Sequence, residues 1–410
     1  MIKEKYINRV KKISINVTQT KIDSISHKDI EKTGLRIYKN GYIGYSGAIG
    51  RYEEEELEKR AKDSLNNKMP YQYNLGKNLR KKEDFSSEII KEDNLVEELN
   101  ELLGALRKEQ PEFYFSNKFN LIEHEVRLLN DNGLDLYYKD KYIDFILIFK
   151  EKTSPNIMDG FVGLNGRKYS RKLALENINQ ICSAYRNKVM LPNKKVLPVV
   201  FSTDDMLPLE KFLEDLNGDR FGSKSSLLSN KRNKKIFNEN FTLYQTNNPN
   251  DCIVPFFDAE GVINDNHRYP LIKEGIIVSP YTDKRISNKY NLPLTGCAAA
   301  EYDGMPNLGF PKLKIKESEK TAKELLGGEM GIFILVASGG DFTPEGNFAT
   351  PVQLAFLFDG EKFIGRLPEL SISSNVFHMF GDSFLGVSKD TMNPLSNNKF
   401  LIMNMEVSKI

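Results

Sequence analysis

Chemistry at neutral pH usually needs histidine, cysteine or a perturbed carboxylate, and this sequence is sparing with the first two. Its four histidines are His27, His124, His267 and His378, and its three cysteines are Cys182, Cys252 and Cys297. The cysteines are widely spaced and form no CxxC pair, so they do not make a zinc site by themselves. His124-Glu125 begins an apparent HE motif, but Leu128 and Leu129 stand where a second histidine would, and the pair falls in a stretch that alternates like a strand. It is a decoy. No GxSxG elbow and no Walker loop occur, and Gly339-Gly340 lies between strand-like runs, where it reads as a turn. Carboxylates number 56, too many for any pair to be selected for acid and base work without distances. Asp258, Glu260 and Asp265 cluster around Gly261 and read as hydrated loop carboxylates.

The stretch of most interest is LEKFLEDLNGD, Leu209 to Asp219. Asp204 or Asp205 can cap it, Met206, Leu209, Leu213 and Leu216 recur at helical spacing, and Asn217-Gly218 supplies a stop, so the pattern predicts a short amphipathic helix with its leucines in a core. The elements around it predict an α+β fold. Asn40-Gly41 between two alternating arms marks a hairpin, 51–67 a helix with glutamates in its first turns, 71–93 a polar connector, and Asp93–Lys108 a second helix. A meander follows, with turns expected at Asn132-Gly133 and at Lys139-Asp140-Lys141, then a helix from about Tyr169 to Asn187 and a strand at 196–202. Beyond Ile253 strands dominate, with turns at Glu274-Gly275, Glu345-Gly346 and Asp359-Gly360 and one helix at 317–328. This divides the chain into an N-terminal α+β domain with antiparallel hairpins and helices (1–195), a helix and connector (196–250) and a mainly β C-terminal domain (251–410).

Composition narrows the function. The 410 residues are 40% hydrophobic and 28% charged, as in a soluble globular protein. Lys plus Arg number 58 and the net charge is +2, which provides no field for steering nucleic acid, and the basic loop 223–239 has no glycine-rich phosphate cradle beside it. The first residues interrupt every apolar run with charge, unlike a signal peptide, and FILIF and IFILVA fall far short of the roughly 20 residues a membrane span needs. A cytoplasmic protein with no membrane and no nucleic-acid partner is the expectation.

Three separated stretches resemble the TldD/PmbA family, whose members were once called modulators of DNA gyrase and are associated with metal-dependent proteolysis: TGLRIYKNGYIGYSG at 33–47, FFDAEG through NLPLTG at 256–296, and MPNLGF with GGEMGIFILVASGGDFTPEGNFATPVQLAFLFDGEKF at 305–363. Asp258, Glu260, Gly261, Pro306 and Asn307 are motif positions of unknown role. Metal-bearing members carry HExxxH followed by LEGD. LNGD at 216–219 resembles the end of that motif, which places Leu209 and Glu214 at the two histidines and Glu210 at the glutamate. An aliphatic side chain cannot ligate zinc, and one carboxylate does not make up the coordination. Metal-bearing members also supply a cysteine in a CGK-like segment, where this chain reads SFLGVSKD, 383–390.

The resemblance therefore implies the PmbA/TldE-like branch: no catalytic residue and no metal in this chain, zinc in a TldD-like homologue that pairs with it, and an unfolded peptide enclosed between the two. Self-association as a homodimer is equally compatible. Strands such as GIFILVASGG and QLAFLFDG could serve as interface or peptide-pairing edges, although core strands are the plainer reading. The alternative is a stand-alone, metal-free dimer that holds peptides or a protein partner without cleaving them. A weaker alternative is hydrolysis by this chain alone through a metal held by Asp, Glu and one distant histidine.

Overall fold

A computed structural model describes residues 1–410. The first half builds a single eight-stranded sheet. Its elements are β1 (Ile2–Thr18), β2 (Lys21–Lys39), β3 (Tyr42–Ile49), α1 (Glu54–Ser64), β4 (Met69–Pro70), β5 (Leu79–Asp84), α2 (Leu95–Glu109), β6 (Phe113–Asn130), β7 (Leu134–Glu151), β8 (Gly160–Gly166) and α3 (Arg171–Arg186). The strand order is β4-β3-β2-β1-β6-β7-β5, with β8 pairing further along the same edge of β7 as β5. The Asn40-Gly41 hairpin forms as expected: both residues have positive φ, 51° and 79°, the geometry that a two-residue turn between twisted strands demands.

Two expectations fail here for related reasons. Lys139-Asp140-Lys141 is not a turn but the middle of β7, because its charges are satisfied in place. Lys139 reaches Glu123 and Glu125 on the neighbouring strand, Lys141 reaches Glu92, and the fully buried Asp140 is held by Arg167 at 2.6 and 2.8 Å. Within the connector expected at 71–93, residues 79–84 form β5, which runs parallel to β7 and buries almost no side chain. Backbone pairing alone makes this strand, so no apolar pattern announces it.

The second half continues with β9 (Val196–Ser202), α4 (Glu210–Asp215), α5 (Gly218–Gly222), β10 (Leu243–Thr246), β11 (Arg268–Lys273), β12 (Ile276–Ile277), α6 (Lys284–Tyr290), β13 (Ala298–Ala299), β14 (Asn307–Leu308), β15 (Leu313–Ile315) and α7 (Ala322–Leu326). It ends with β16 (Gly331–Ala337), β17 (Asp341–Phe342), β18 (Asn347–Phe358), β19 (Phe363–Arg366), β20 (Leu370–Asn375), α8 (Val376–Met379), β21 (Phe384–Thr391) and β22 (Lys399–Lys409). β9, β22, β20, β18 and β16 pair in that order, and β16 returns to β9, so the ring is a closed barrel. The segment 196–250 therefore supplies β9 to this ring and β10 to a four-stranded sheet with β11, β12 and β15. One core joins the barrel to α4, α5 and the four-stranded sheet. A second core joins the other face of the barrel to α2, α3, α7 and the N-terminal sheet. No helix is long and apolar enough to cross a membrane.

The N-terminal motif finds its reason in how the halves meet. Gly34 and Gly47 lie opposite one another on β2 and β3, and the backbone of Tyr302 and Asp303 rests on this bare patch. A Cβ on Gly34 would sit 2.3 Å from the Tyr302 carbonyl oxygen. Gly34→Ala is expected to destabilise the protein by about 1–3 kcal/mol, because backbone must move to admit the methyl. Gly104→Ala on α2, where the nearest foreign atom is an arginine tip at 3.7 Å, should be neutral or stabilising by up to about 1 kcal/mol. Urea unfolding of both variants checks the contrast.

Candidate functional site

The expected amphipathic helix divides in two. The Asp205 carboxylate accepts the Leu207 N–H at 2.9 Å and starts a 3₁₀ turn, Leu207–Leu209, that runs into α4. At Asn217-Gly218 the chain stops and restarts: the Asn217 side chain accepts from the N–H groups of Asp219 and Arg220 and caps α5. Leu209, 2% exposed, belongs to the same core as Phe212 and Leu216. Glu214 faces outward and is taken by two cations, Lys211 Nζ at 2.8 Å and Arg220 Nη1 at 2.7 Å. Lys211 is itself only 3% exposed, and its ammonium also lies 3.2 Å from Asp215. Glu210 is exposed, and partial burial together with the charges of Asp341 and Asp205 raises its carboxyl above the usual range.

The segment 383–390 lies close by, and aromatic rings fill the space between it and α4. Phe384 packs on Phe241 with centroids 5.3 Å apart, and Phe241 and Phe380 both pack on Phe212, at 5.5 and 4.9 Å. The fold thus brings together the two segments where the resemblance places metal ligands. The donors do not fit a zinc ion. One position is a core leucine, another is a carboxylate already paired twice, and the segment 383–390 contains no cysteine. No three His, Cys, Asp or Glu side chains are grouped to hold a metal. The cysteines lie in buried or half-buried positions that push their thiols up, to about 12 for Cys182 and Cys252. His124 lies on β6 beside Asn8 with its basicity lowered by burial, and His267 contacts Lys81 and Glu83.

The motif positions around Gly261 form a second constellation, and here the sequence reading needs correcting. Asp258 and Glu260 are not hydrated; both are buried, while Asp265 is exposed. Asp258 accepts N–H bonds of 2.9 Å from Glu260, Val262 and Ala298. Glu260 accepts the Tyr71 hydroxyl at 2.8 Å and the Lys284 N–H at 2.9 Å, and burial and the neighbouring Asp258 push its carboxyl up to about 7. Between them, the carbonyl of Ala259 accepts from the fully buried Arg36 guanidinium at 2.7 Å. Arg36 also pairs with Glu4 at 3.2 Å, and Glu4 accepts the Tyr38 hydroxyl at 2.8 Å. Gly261, with φ of 74°, turns the chain against Leu128 and Leu134, while Phe256 and Phe257 pack into the apolar face of β6 and β7. Pro306 is buried beside β14, and Asn307, exposed, pairs with Ala299.

These motif residues hold the two halves together. Sequence reasoning missed Glu4, Arg36, Tyr71, Lys211 and Lys284. Arg36 and Tyr38 do lie within the quoted N-terminal motif, but no spacing rule identifies their partners. A carboxyl titrating near 7 when folded and near its model value of 4.5 when unfolded binds more proton in the folded state between those pH values. Its contribution to stability is therefore fullest below about 4.5 and falls as pH rises through about 7. Glu260→Gln should remove that part of the slope. Urea midpoints from pH 5 to 8 are expected to fall less steeply in the variant than in the parent.

Residues 194–409 match the PmbA/TldA metallopeptidase C-terminal domain, and residues 6–68 match PmbA/TldA metallopeptidase domain 1. No curated protein matches significantly. Among solved structures the chain is similar to TldE from Thermococcus kodakarensis, with 22% identity and a TM-score of 0.81 over 100% of this chain and 96% of that one. It is also similar to a protein from Thermotoga maritima described as a modulator of a DNA gyrase, with 14% identity and a TM-score of 0.79 over 99% and 96% of the two chains. A protein of like description from Bacteroides thetaiotaomicron is 15% identical, with a TM-score of 0.75 over 100% and 95%. With more than half its length matched by one of the family's domains and its architecture matched throughout, the chain belongs to the PmbA/TldA metallopeptidase family, also called TldD/PmbA.

Proposed function

We propose that this chain is the metal-free, non-catalytic subunit of a TldD/PmbA-type peptidase of the cytosol, pairing with a zinc-bearing homologue to enclose unfolded peptides. The observation that carries the reading is the chemistry around α4. The two segments that would bring ligands to a metal are adjacent, yet they meet through Phe212, Phe241 and Phe384, and the one carboxylate at a ligand position is neutralised by Lys211 and Arg220. Refitting this place for zinc would mean replacing a core leucine, breaking two ion pairs and introducing a thiolate. In the complex, zinc would polarise the peptide carbonyl from the homologue's side, while this chain would contribute wall and positioning surface.

The test is metal content and peptide hydrolysis of the purified chain, alone and mixed with a zinc-bearing homologue from the same cell. The lone chain should be metal-free and inactive and should raise cleavage on mixing. Stoichiometric zinc with cleavage by the lone chain would overturn the proposal, and no effect in either arm would favour a stand-alone peptide-binding dimer. Glu210→Gln separates the roles further. A catalytic carboxylate is worth about 10²–10⁴ in rate, so a non-catalytic Glu210 predicts a mixed-complex rate within twofold of the parent.

A further inference from the structure

A groove of about 950 Å³ lies away from α4, where the strap between α3 and β9 crosses the barrel. Its floor is Val336 on β16 and Leu354 on β18, and its wall is Val189, Leu191 and Leu367. The strap is fixed: Val189 donates to the Arg366 carbonyl at 3.0 Å, Arg366 donates to Asn187 at 2.7 Å, and the Asn187 side chain donates to Ile364 at 2.7 Å. Two large apolar side chains stand almost free at its rim, Met190 at 88% exposure and Ile157 at 96%. Exposed side chains of this size beside an apolar cleft mark an interaction site rather than scattered surface hydrophobicity.

The charges around the groove say what enters it. Lys188, Arg366 and Lys409 line it and form no ion pair, while the nearby Lys194 and Lys195 are paired with Glu329 and Glu406. The Arg366 guanidinium lies over the Tyr185 ring at 3.9 Å, which leaves its edge open to a carboxylate. Of the two lining carboxylates, Asp159 is consumed by the Glu151 N–H and by Ser154 and Asn156, leaving Glu369 as the one unpaired acid against three unpaired cations.

We propose that this groove binds an unfolded peptide segment in which a bulky apolar residue is followed by a carboxylate, either an acidic side chain or the chain's own C-terminus. The inference rests on the reading above that unfolded peptide is the substrate, and it names which peptides are held and where. The apolar side chain seats on Val336 and Leu354, with Met190 adapting its shape to close over it. The carboxylate meets Arg366, flanked by Lys188 and Lys409. Because the strap is already fixed, little ordering cost opposes binding.

The test uses the full chain alone and fluorescence anisotropy with three unstructured labelled peptides: one carrying Leu-Asp, one with the Asp changed to Lys, and one with the Leu changed to Ser. The Leu-Asp peptide should bind saturably and at least tenfold more tightly than either of the others. Lys188→Glu combined with Lys409→Glu, both on exposed positions that the fold does not need, should abolish or reverse the preference while circular dichroism and urea midpoint stay unchanged. Met190→Ser should weaken the Leu-Asp peptide at least fivefold. Equal binding of all three peptides, or none, overturns the proposal. So does a change of oligomeric state in Met190→Ser, which would assign the face to a second copy, or Met190-dependent binding to anionic phospholipid vesicles in preference to peptide. Selective peptide binding without stimulation of a zinc homologue would sink the partner-subunit reading and keep the groove. Stimulation that is unaltered by the charge-reversed variant, with no peptide selectivity, would do the opposite.

Discussion

A guanidinium with almost no access to water, that of Arg36, is the constraint on which the joining of the two halves depends. Removing such a group from water costs several kcal/mol unless it is paired; its Nη1 is met from both sides of the joint, while its Nη2 is buried without a partner. Glu4 comes from the first strand, and the Ala259 carbonyl comes from the turn between Asp258 and Gly261. The N-terminal sheet therefore carries a buried charge whose second hydrogen-bond acceptor comes from the other half of the chain. Neighbouring contacts enforce the same docking: Tyr71 on Glu260, Phe256 and Phe257 against β6 and β7, and Tyr302 on the paired glycines of β2 and β3. The N-terminal motif and the turn at Asp258–Gly261 converge on that joint.

At α4 a metal centre and an aromatic cluster are two answers to one packing problem. Two segments distant in sequence must be held side by side. A zinc ion does so with directional bonds to charged or polar ligands. Here burial does it, with Phe212 at the centre of rings contributed by residues 237, 241 and 380 and with Leu209 beneath. Polar residues survive on the rim of the helix, but they have turned to one another. Lys211 and Arg220 close on Glu214, so that carboxylate is balanced within the fold rather than presented to a ligand.

What could be read from sequence was whatever depends on neighbours along the chain. The turns at Asn40-Gly41 and Asn132-Gly133, the helices α1 to α3 and the turns at Gly275, Gly346 and Gly360 follow from local propensity and alternation, and all form. Features that depend on remote partners were misread. Lys139-Asp140-Lys141 resembles a turn until Arg167, Glu92 and the carboxylates of β6 are in place. The carboxylates around Gly261 look hydrated until residues 71, 284 and 298 arrive to bond them. β5 is invisible because its side chains contribute almost nothing to either core. A leucine in a core needs no special partner, and so the burial of Leu209 could be anticipated where that of Glu260 could not.

Closure of the barrel has a consequence for how the molecule is made. β9 is synthesised near the midpoint of the chain, yet its long neighbour is β22, the last strand, with Leu401 opposite Phe201. Its only other partner, β16, meets it at just two positions. A ribosome-bound chain can assemble the N-terminal sheet, whose strands all lie within the first 166 residues, but it cannot complete the barrel until β22 has left the exit tunnel. Until then β9, apolar on both faces, waits with an open edge, and pairings this distant in sequence are slow to form. The nascent protein is thus exposed to misassembly until β22 is made, and the eleven residues of that strand act as the clasp that ends the exposure.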